Sequence, residues 1–392
     1  MIKISKLYKS ISYYMSFCYN NLNFQKERMY KMNDHIIIIG GGIAGLRLAS
    51  LLQKENIPYK ILEAREHLGG RVLTQIEDEK NYFDLGPTWY WPEKEPTITQ
   101  LIKDLNIPTM EQFNNGKSLL QLSNDSNIKS FDSDAVNSKS YRIIGGVKKL
   151  IDVIKKDIPN ESIHTHTIVE KVTKNNDNYT IDAFNNETKK SISYTANKVV
   201  LCLPPRLLLE NITFSPKFNQ ETYLDLLNKP TWMGAQAKIV LTYKSPFWRE
   251  QNLSGNVISW VGPLREVYDA TTDEGNAALF GFFSLSPESR SKLTEQEIKT
   301  KVVNQLTTLF GDEIQNYHSI YYKDWSQDTY MTTSGDKLNI ESFPTYEPPV
   351  NPPERMYFAG TEYDQKNGGH LEGALNSAHS TFKQILSEYN KH

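Results

Sequence analysis

The stretch DHIIIIGGGIAGLRLASLL, Asp34 to Leu52, sets four isoleucines against three consecutive glycines and then restarts an apolar pattern at once. Ile36 to Ile39 are β-branched and apolar without alternation, which predicts a short strand covered on both faces, as in a parallel sheet. Ala44, Leu48, Leu51 and Leu52 follow the i, i+4, i+7, i+8 spacing of one helical face. The glycines therefore occupy a strand-to-helix turn. Gly40, Gly42 and Gly45 form G-x-G-x-x-G, in which the first glycine permits the tight turn, the second lets backbone approach a pyrophosphate and the third lets helix pack on strand. Ile43 and Ala44, between the glycines, are candidate cofactor contacts, and a helix N-terminus then faces the phosphates.

The next apolar segment, PYKILEAR, ends at Glu63, 23 residues after Gly40. That is the spacing at which a carboxylate takes the ribose hydroxyls of a dinucleotide, and its charge argues against a 2′-phosphate. The turn and the acid alone do not separate NAD from FAD.

The totals narrow the partners. A chain of 392 residues is long enough for two or three domains' worth of core, and a net charge of −2 provides no global field for nucleic acid or an anionic membrane. No apolar run approaches the roughly 20 residues of a membrane span, so no membrane partner is expected. Two cysteines, Cys18 and Cys202, leave no room for a disulfide framework or a cysteine zinc site and fit a reducing cytoplasm. His164 and His166 share one strand face by spacing but have no nearby carboxylate or cysteine, so no metal site is expected. Residues 1–33 read as an appendage, a disordered tail or translated upstream sequence, without the apolar centre of a secretory signal.

Beyond Glu63 the sequence becomes specific. LEAREHLGGRVLT (Leu62 to Thr74), FDLGPTW and the closing YFAGTEYDQKNGGHLEGALNSAHSTFKQIL resemble the flavin amine oxidase superfamily, which includes monoamine, polyamine and L-amino-acid oxidases. RIIGGVKKLIDVI, VVLCLPPRLL and QAKIVLTYKSPFWRE resemble further segments of that family. The resemblance implies an α/β fold with a discontinuous Rossmann-like FAD-binding domain, at roughly 34–90, 142–225 and 326–392. An inserted α+β substrate domain would take 91–141 and 226–325. It also implies hydride transfer from the carbon beside an amine nitrogen to flavin N5, on a small or mid-sized amine or amino acid.

By the same resemblance, Gly70 and Arg71 of GGR lie near the pyrophosphate and Arg65 on the adenosine side. Val169 offers backbone to adenine, while Gly86, Pro87, Thr88 and Trp89 lie near the isoalloxazine. Gly360 and Glu362 reach the ribityl chain. A final helix, predicted from Leu371 through Leu386, aims its N-terminus, with Gly369, His370 and Leu371, at the N1/O2 edge, where a positive helix end stabilises the charge of reduced flavin. Trp89, Trp260, Phe283, Trp325 and His370 are the pocket candidates; His370 either moves a proton or simply precedes the helix.

Three departures stand against the family pattern. Ser334 falls by spacing where some members carry a flavin-linking cysteine, which predicts non-covalent FAD. Pro287 falls where a lysine is expected after a GF strand, the first lysine there being Lys292, which argues against rapid use of oxygen. Gly335 and His370 fall where two tyrosines would cage an amine. These leave open a related flavoprotein that oxidises a non-amine substrate with another acceptor, and a flavin-binding protein that has lost catalysis and serves a partner. In the insertions, TEQEIKTKVVNQLTTLF reads as an amphipathic helix and the segment from Asn114 to Ser140, rich in Ser, Asn and Asp, as a solvated loop.

Overall fold

The computed structural model describes residues 35–124, 127–132, 139–337 and 344–389. The N-terminal appendage and Cys18 lie outside the described residues.

The isoleucine run is the middle strand, Ile36–Ile39, of a five-stranded sheet. Its neighbours are Lys198–Leu201 and Tyr59–Leu62, with Met356–Phe358 and Ile163–His164 at the edges, and every pairing is parallel. The unbroken apolar run now has a cause. Ile36 and Ile38 enter one core with the helices Ile43–Lys54, Lys148–Lys155 and Leu371–Tyr389, whereas Ile37 and Ile39 enter another with Val172, Ile181 and Leu201. Both faces of the strand are covered, so alternation would bury polar groups. The second core is closed by a four-stranded sheet that includes Thr167–Asn175 and Asn178–Asn185.

A seven-stranded sheet forms a separate layer, centred on Ala237–Tyr243, Ala277–Phe283 and Leu264–Asp269. The helix Glu295–Phe310 covers one of its faces through Ile298, Val302 and Leu306. Thr294 and Glu297 close a capping box at the helix start, satisfying otherwise orphaned backbone donors. The opposite face carries Val240, Ala278 and Phe280 against Phe83 and Leu85.

The expected loop between Asn114 and Ser140 is corrected in part. Lys117–Gln121 and Lys129–Asp132 are the last two strands of the seven-stranded sheet. Their polar residues misled the reading because an edge hairpin presents much of its surface to water.

Candidate active site

A cavity of about 880 Å³ is walled by both the parallel sheet and the seven-stranded sheet, a size within the range of cofactor sites. At one end is the glycine turn. Gly40 has φ of 109°, and a Cβ there would lie 2.6 Å from the carbonyl oxygen of Cys202. Gly42 differs: a Cβ would meet nothing closer than the Cα of Gly70 at 3.9 Å, so that face of the turn opens on the cavity. Gly45 does not line the cavity, since a Cβ there would meet the carbonyl of Gly40 at 2.1 Å; its part is to let helix approach turn. Gly69 donates its N–H to Gly41 at 2.9 Å, setting the second glycine pair against the first.

Glu63 is buried at the same end, one carboxylate oxygen accepting the Gly41 N–H at 2.6 Å and the other the Arg65 N–H at 2.9 Å. Each oxygen keeps a further acceptor site for a hydroxyl. Val169 follows along the wall, just before a bulge at Glu170 that breaks the register with the neighbouring strand. Arg65 bonds Asp328 at 2.6 Å and its guanidinium lies 5.2 Å from the ring centre of Tyr330. Burial works to raise the Asp328 carboxyl, but Arg65 and Lys323 outweigh it and hold it below the usual range.

In the middle, Arg71 and Glu362 meet in a two-pronged pair at 2.6 and 2.8 Å. Both were expected at the cofactor; the structure adds that they hold each other. Gly70, Gly86, Pro87, Thr88, Gly360 and Leu371 line this stretch, with Ile43 and Ala44 from the first helix. Gly369, at φ of 89°, lies so close to Trp232 that a Cβ would sit 2.8 Å from the indole.

Another stretch of the lining is aromatic. Trp89 lines it in edge contact with Tyr268 and Phe280, and its Nε1 donates to Gln112 at 2.7 Å. Trp325 lines it too, its Nε1 donating to the Leu85 carbonyl at 2.9 Å. His370 lies here beside Trp91, and its Nδ1 is 2.7 Å from Glu95.

Four expectations are overturned. Phe283 is not in the cavity: along Ala277–Phe283 alternate residues face opposite ways, so Phe283 enters the core under Glu295–Phe310 and Phe282 takes the lining position. Trp260 is 66% exposed, its ring under the Arg265 guanidinium, outside the site. Ser334 and Gly335 lie off the lining as well, exposed in a short 3₁₀ turn; Thr329, Tyr330 and Met331 take the wall, because spacing from Trp325 ignores how that loop folds. Finally, the site has a lysine. Pro287 only starts a short helix and Lys292 pairs with Glu288 outside the site, but Lys238, from the strand Ala237–Tyr243, is buried in the cavity wall. It donates to the carbonyl of Gly86 and lies 5.1 Å from the ring centre of Phe282. Burial pushes it down to about 8, with Asp84 opposing. Asp84 itself is pushed up to about 6 by burial, against its bonds from Thr74 and Val147.

Sequence reading missed Trp91, Trp232, Glu266 and Lys238. The one available signal was the lysine inside AKIVLTY, an otherwise apolar strand, where a charge has to find a buried use.

A glycine turn with a buried acid bonded to it, continuous with an aromatic lining beside a helix N-terminus, has the make-up of a dinucleotide-dependent oxidoreductase. Residues 115–386 match the family described as flavin containing amine oxidoreductase, and residues 38–105 match the NAD(P)-binding Rossmann-like domain. Curated relatives include amine oxidase [flavin-containing] B of Sus scrofa, 22% identical over 91% of this chain and 86% of that protein. Another is the probable flavin-containing monoamine oxidase A of Dictyostelium discoideum, 22% identical over 89% and 97%. Among solved structures, cyclohexylamine oxidase from Brevibacterium oxydans IH-35A superposes with a TM-score of 0.77 at 18% identity, covering 91% of this chain and all of that one. Putrescine oxidase bound to putrescine gives 0.76 at 17%, covering 91% and 99%. The chain belongs to the flavin-containing amine oxidoreductases, and its cofactor is FAD.

The residues present fit that group: Gly42 leaves room for pyrophosphate, Glu63 offers acceptor sites for ribose, and the Leu371 helix end faces the cavity. Cys202 lines the glycine end, and burial pushes its thiol well up.

Proposed function

We propose that this amine oxidoreductase acts on an aliphatic diamine, one nitrogen at the reacting carbon and the second at Glu266. Glu266 carries the reading. Its carboxylate lines the aromatic end of the cavity, takes a hydrogen bond from the Tyr268 hydroxyl at 2.7 Å, and has no cationic partner among the described residues. An anion in an aromatic chamber favours a ligand cation, and the rings of Trp89 and Tyr268 add attraction of the same sign.

The same charge argues against an amino acid. Its carboxylate would need an arginine, yet the two lining arginines, Arg65 and Arg71, are each committed to a carboxylate toward the cofactor end. The putrescine oxidase neighbour binds a diamine by its own description, which supports the reading without carrying it.

Bound FAD supplies the two-electron acceptor for the carbon–hydrogen bond beside nitrogen. This chain's residues hold and shape. Lys238 fixes the Gly86 turn and places an ammonium in the wall; Trp89, Phe282 and Trp325 exclude water; Glu266 sets how far the reacting carbon reaches. With Lys238 present, the reason for doubting oxygen as acceptor is gone, and we take oxygen as the acceptor. The non-amine reading rested on the missing lysine and on the missing tyrosine cage, and the first of these two grounds is removed by Lys238. A cytoplasmic setting belongs to the proposal, supported by the free, half-buried Cys202 thiol; among the described residues no helix is long and apolar enough to cross a membrane.

The test is anaerobic bleaching of the yellow holoenzyme by 1,4-diaminobutane, 1-aminobutane and ornithine. The diamine is expected to bleach fastest, the monoamine more slowly and the amino acid least, with colour returning in air. Bleaching by the monoamine at the diamine's rate and affinity overturns the reading.

A further inference from the structure

We infer that His370 and Glu95 form a dyad that takes the proton from the substrate ammonium before oxidation, an inference that rests on the amine reading above.

Glu95 is the residue before the helix Pro96–Asp104, and it is 3% exposed. A carboxylate at that position has an ordinary use, capping the helix, but the Glu95 side chain makes no cap bond. Glu372 does that work from the last helix, its two oxygens accepting the N–H groups of Thr97 at 3.0 Å and Ile98 at 2.7 Å. Glu95 instead accepts the Trp91 N–H with one oxygen at 2.9 Å and stands 2.7 Å from His370 Nδ1 with the other. Burying a carboxylate costs several kcal/mol unless partners compensate. Here the compensation is aimed at one imidazole in the cavity wall.

That imidazole is held from several sides. The His370 backbone N–H donates to the Asn367 carbonyl at 3.1 Å, its backbone carbonyl accepts the Thr361 hydroxyl at 2.8 Å, and its ring centre lies 5.8 Å from that of Trp91. With Nδ1–H given to Glu95, the neutral ring carries its basic lone pair on Nε2. The pattern of carboxylate, imidazole and substrate is that of an oriented general base.

An aliphatic amine near its ordinary value of about 10.4 is neutral in only roughly four molecules in ten thousand at pH 7. Only the neutral form has the lone pair that oxidation at the neighbouring carbon requires. In the proposed step one ammonium N–H bond breaks, one imidazole N–H bond forms, and the positive charge moves onto a ring already paired with Glu95. The summed charge of amine, imidazole and carboxylate does not change. The His370 side chain is 38% exposed, so its proton can afterwards pass to water.

Other charged groups around the ring are already engaged or belong to another layer. Glu372 spends both oxygens on the helix, Arg71 and Glu362 hold each other beside the Thr361–Tyr363 turn, and Lys238 and Glu266 line the cavity from the seven-stranded sheet.

The experiment is anaerobic reduction of the holoenzyme by 1,4-diaminobutane, followed by flavin absorbance across the neutral and alkaline range, for wild type, Glu95→Gln and His370→Asn. Wild type is expected to show a rate that rises with pH along a limb set by its proton acceptor. Glu95→Gln is expected to move that limb to lower pH, because the imidazolium loses its anion. His370→Asn removes the limb and slows reduction about a hundredfold at neutral pH, leaving a rate that tracks the free amine. A limb that stays in place in both variants, at unchanged flavin content, overturns the dyad even if rates fall uniformly. If His370→Asn loses flavin, Glu95→Gln decides alone, since its amide can still accept the Trp91 N–H. Wild type that no amine bleaches overturns the amine reading and the dyad with it, whereas bleaching with an unmoved limb overturns only the dyad.

Discussion

Lys238 donates its ammonium to the carbonyl oxygen of Gly86, 152 residues earlier in the chain, and so joins the seven-stranded sheet to a turn that lines the cavity. The bond is buried and among the described residues its cation has no direct carboxylate partner, Asp84 acting only through space.

Replacing this lysine is expected to separate stability from activity. The folded protein holds Lys238 at about 8, below its unfolded value of 10.5, so burial of the charge costs most below pH 8 and the cost is relieved as pH rises from 8 to 10.5. Lys238→Met therefore gains on the order of 2 kcal/mol at neutral pH, after allowance for the lost bond to Gly86. It loses the wild type's relative gain in stability over that alkaline window. Turnover in air falls at least about tenfold. Thermal melts across pH settle the matter, and parallel curves for the two proteins would contradict the assignment.

Gly42 and Gly45, which have different parts in the G-x-G-x-x-G turn, are expected to respond differently to substitution. Gly42→Ala places a methyl in open space and at ordinary φ of −71°, so melting of the apoprotein stays within about 1 kcal/mol of wild type while FAD affinity falls. Gly45→Ala drives its methyl to 2.1 Å from the Gly40 carbonyl and unseats the helix, at a cost of several kcal/mol. FAD titration of apoprotein and melting of both variants test this; a Gly42→Ala protein that binds FAD as tightly as wild type contradicts the phosphate role.

How far the sequence could be read follows from which interactions are local. The Ile36–Ile39 strand, its turn and Glu63 are close in the chain and tied by backbone geometry, so spacing placed them. The Leu371–Tyr389 helix and the capped Glu295–Phe310 helix announced themselves by period. The substrate chamber did not. Glu266, Phe282 and Lys238 come from three neighbouring strands, and which side of a strand faces the cavity is set by register; one step separates Phe282 from Phe283. The partnership of Glu95 with His370 spans 275 residues and leaves no local trace.

Glu266→Gln is expected to raise KM for 1,4-diaminobutane by about tenfold, the worth of a partly exposed charge pair of roughly 1.4 kcal/mol. For 1-aminobutane the same variant changes KM little, since no second charge meets position 266. Steady-state oxygen uptake with both amines measures the split. An equal effect on both would assign Glu266 to folding or to the reacting nitrogen instead.

Arg71 and Glu362 were each expected to serve the cofactor, and the structure shows that they also serve each other. Arg71→Met leaves the Glu362 carboxylate, 1% exposed, without its cation. Losing one partner of a buried pair costs about 3–5 kcal/mol, discounted here because Arg71 keeps 28% exposure. A fall in melting temperature is therefore expected on structural grounds alone and says nothing about flavin. The double variant Arg71→Met with Glu362→Gln removes the stranded charge, so most of the lost stability returns. If the pair also holds FAD, affinity for the cofactor stays low in the double variant although the fold has recovered. Melting and FAD titration of the three proteins separate the two roles, and recovery of affinity together with stability would reduce the pair to a structural brace.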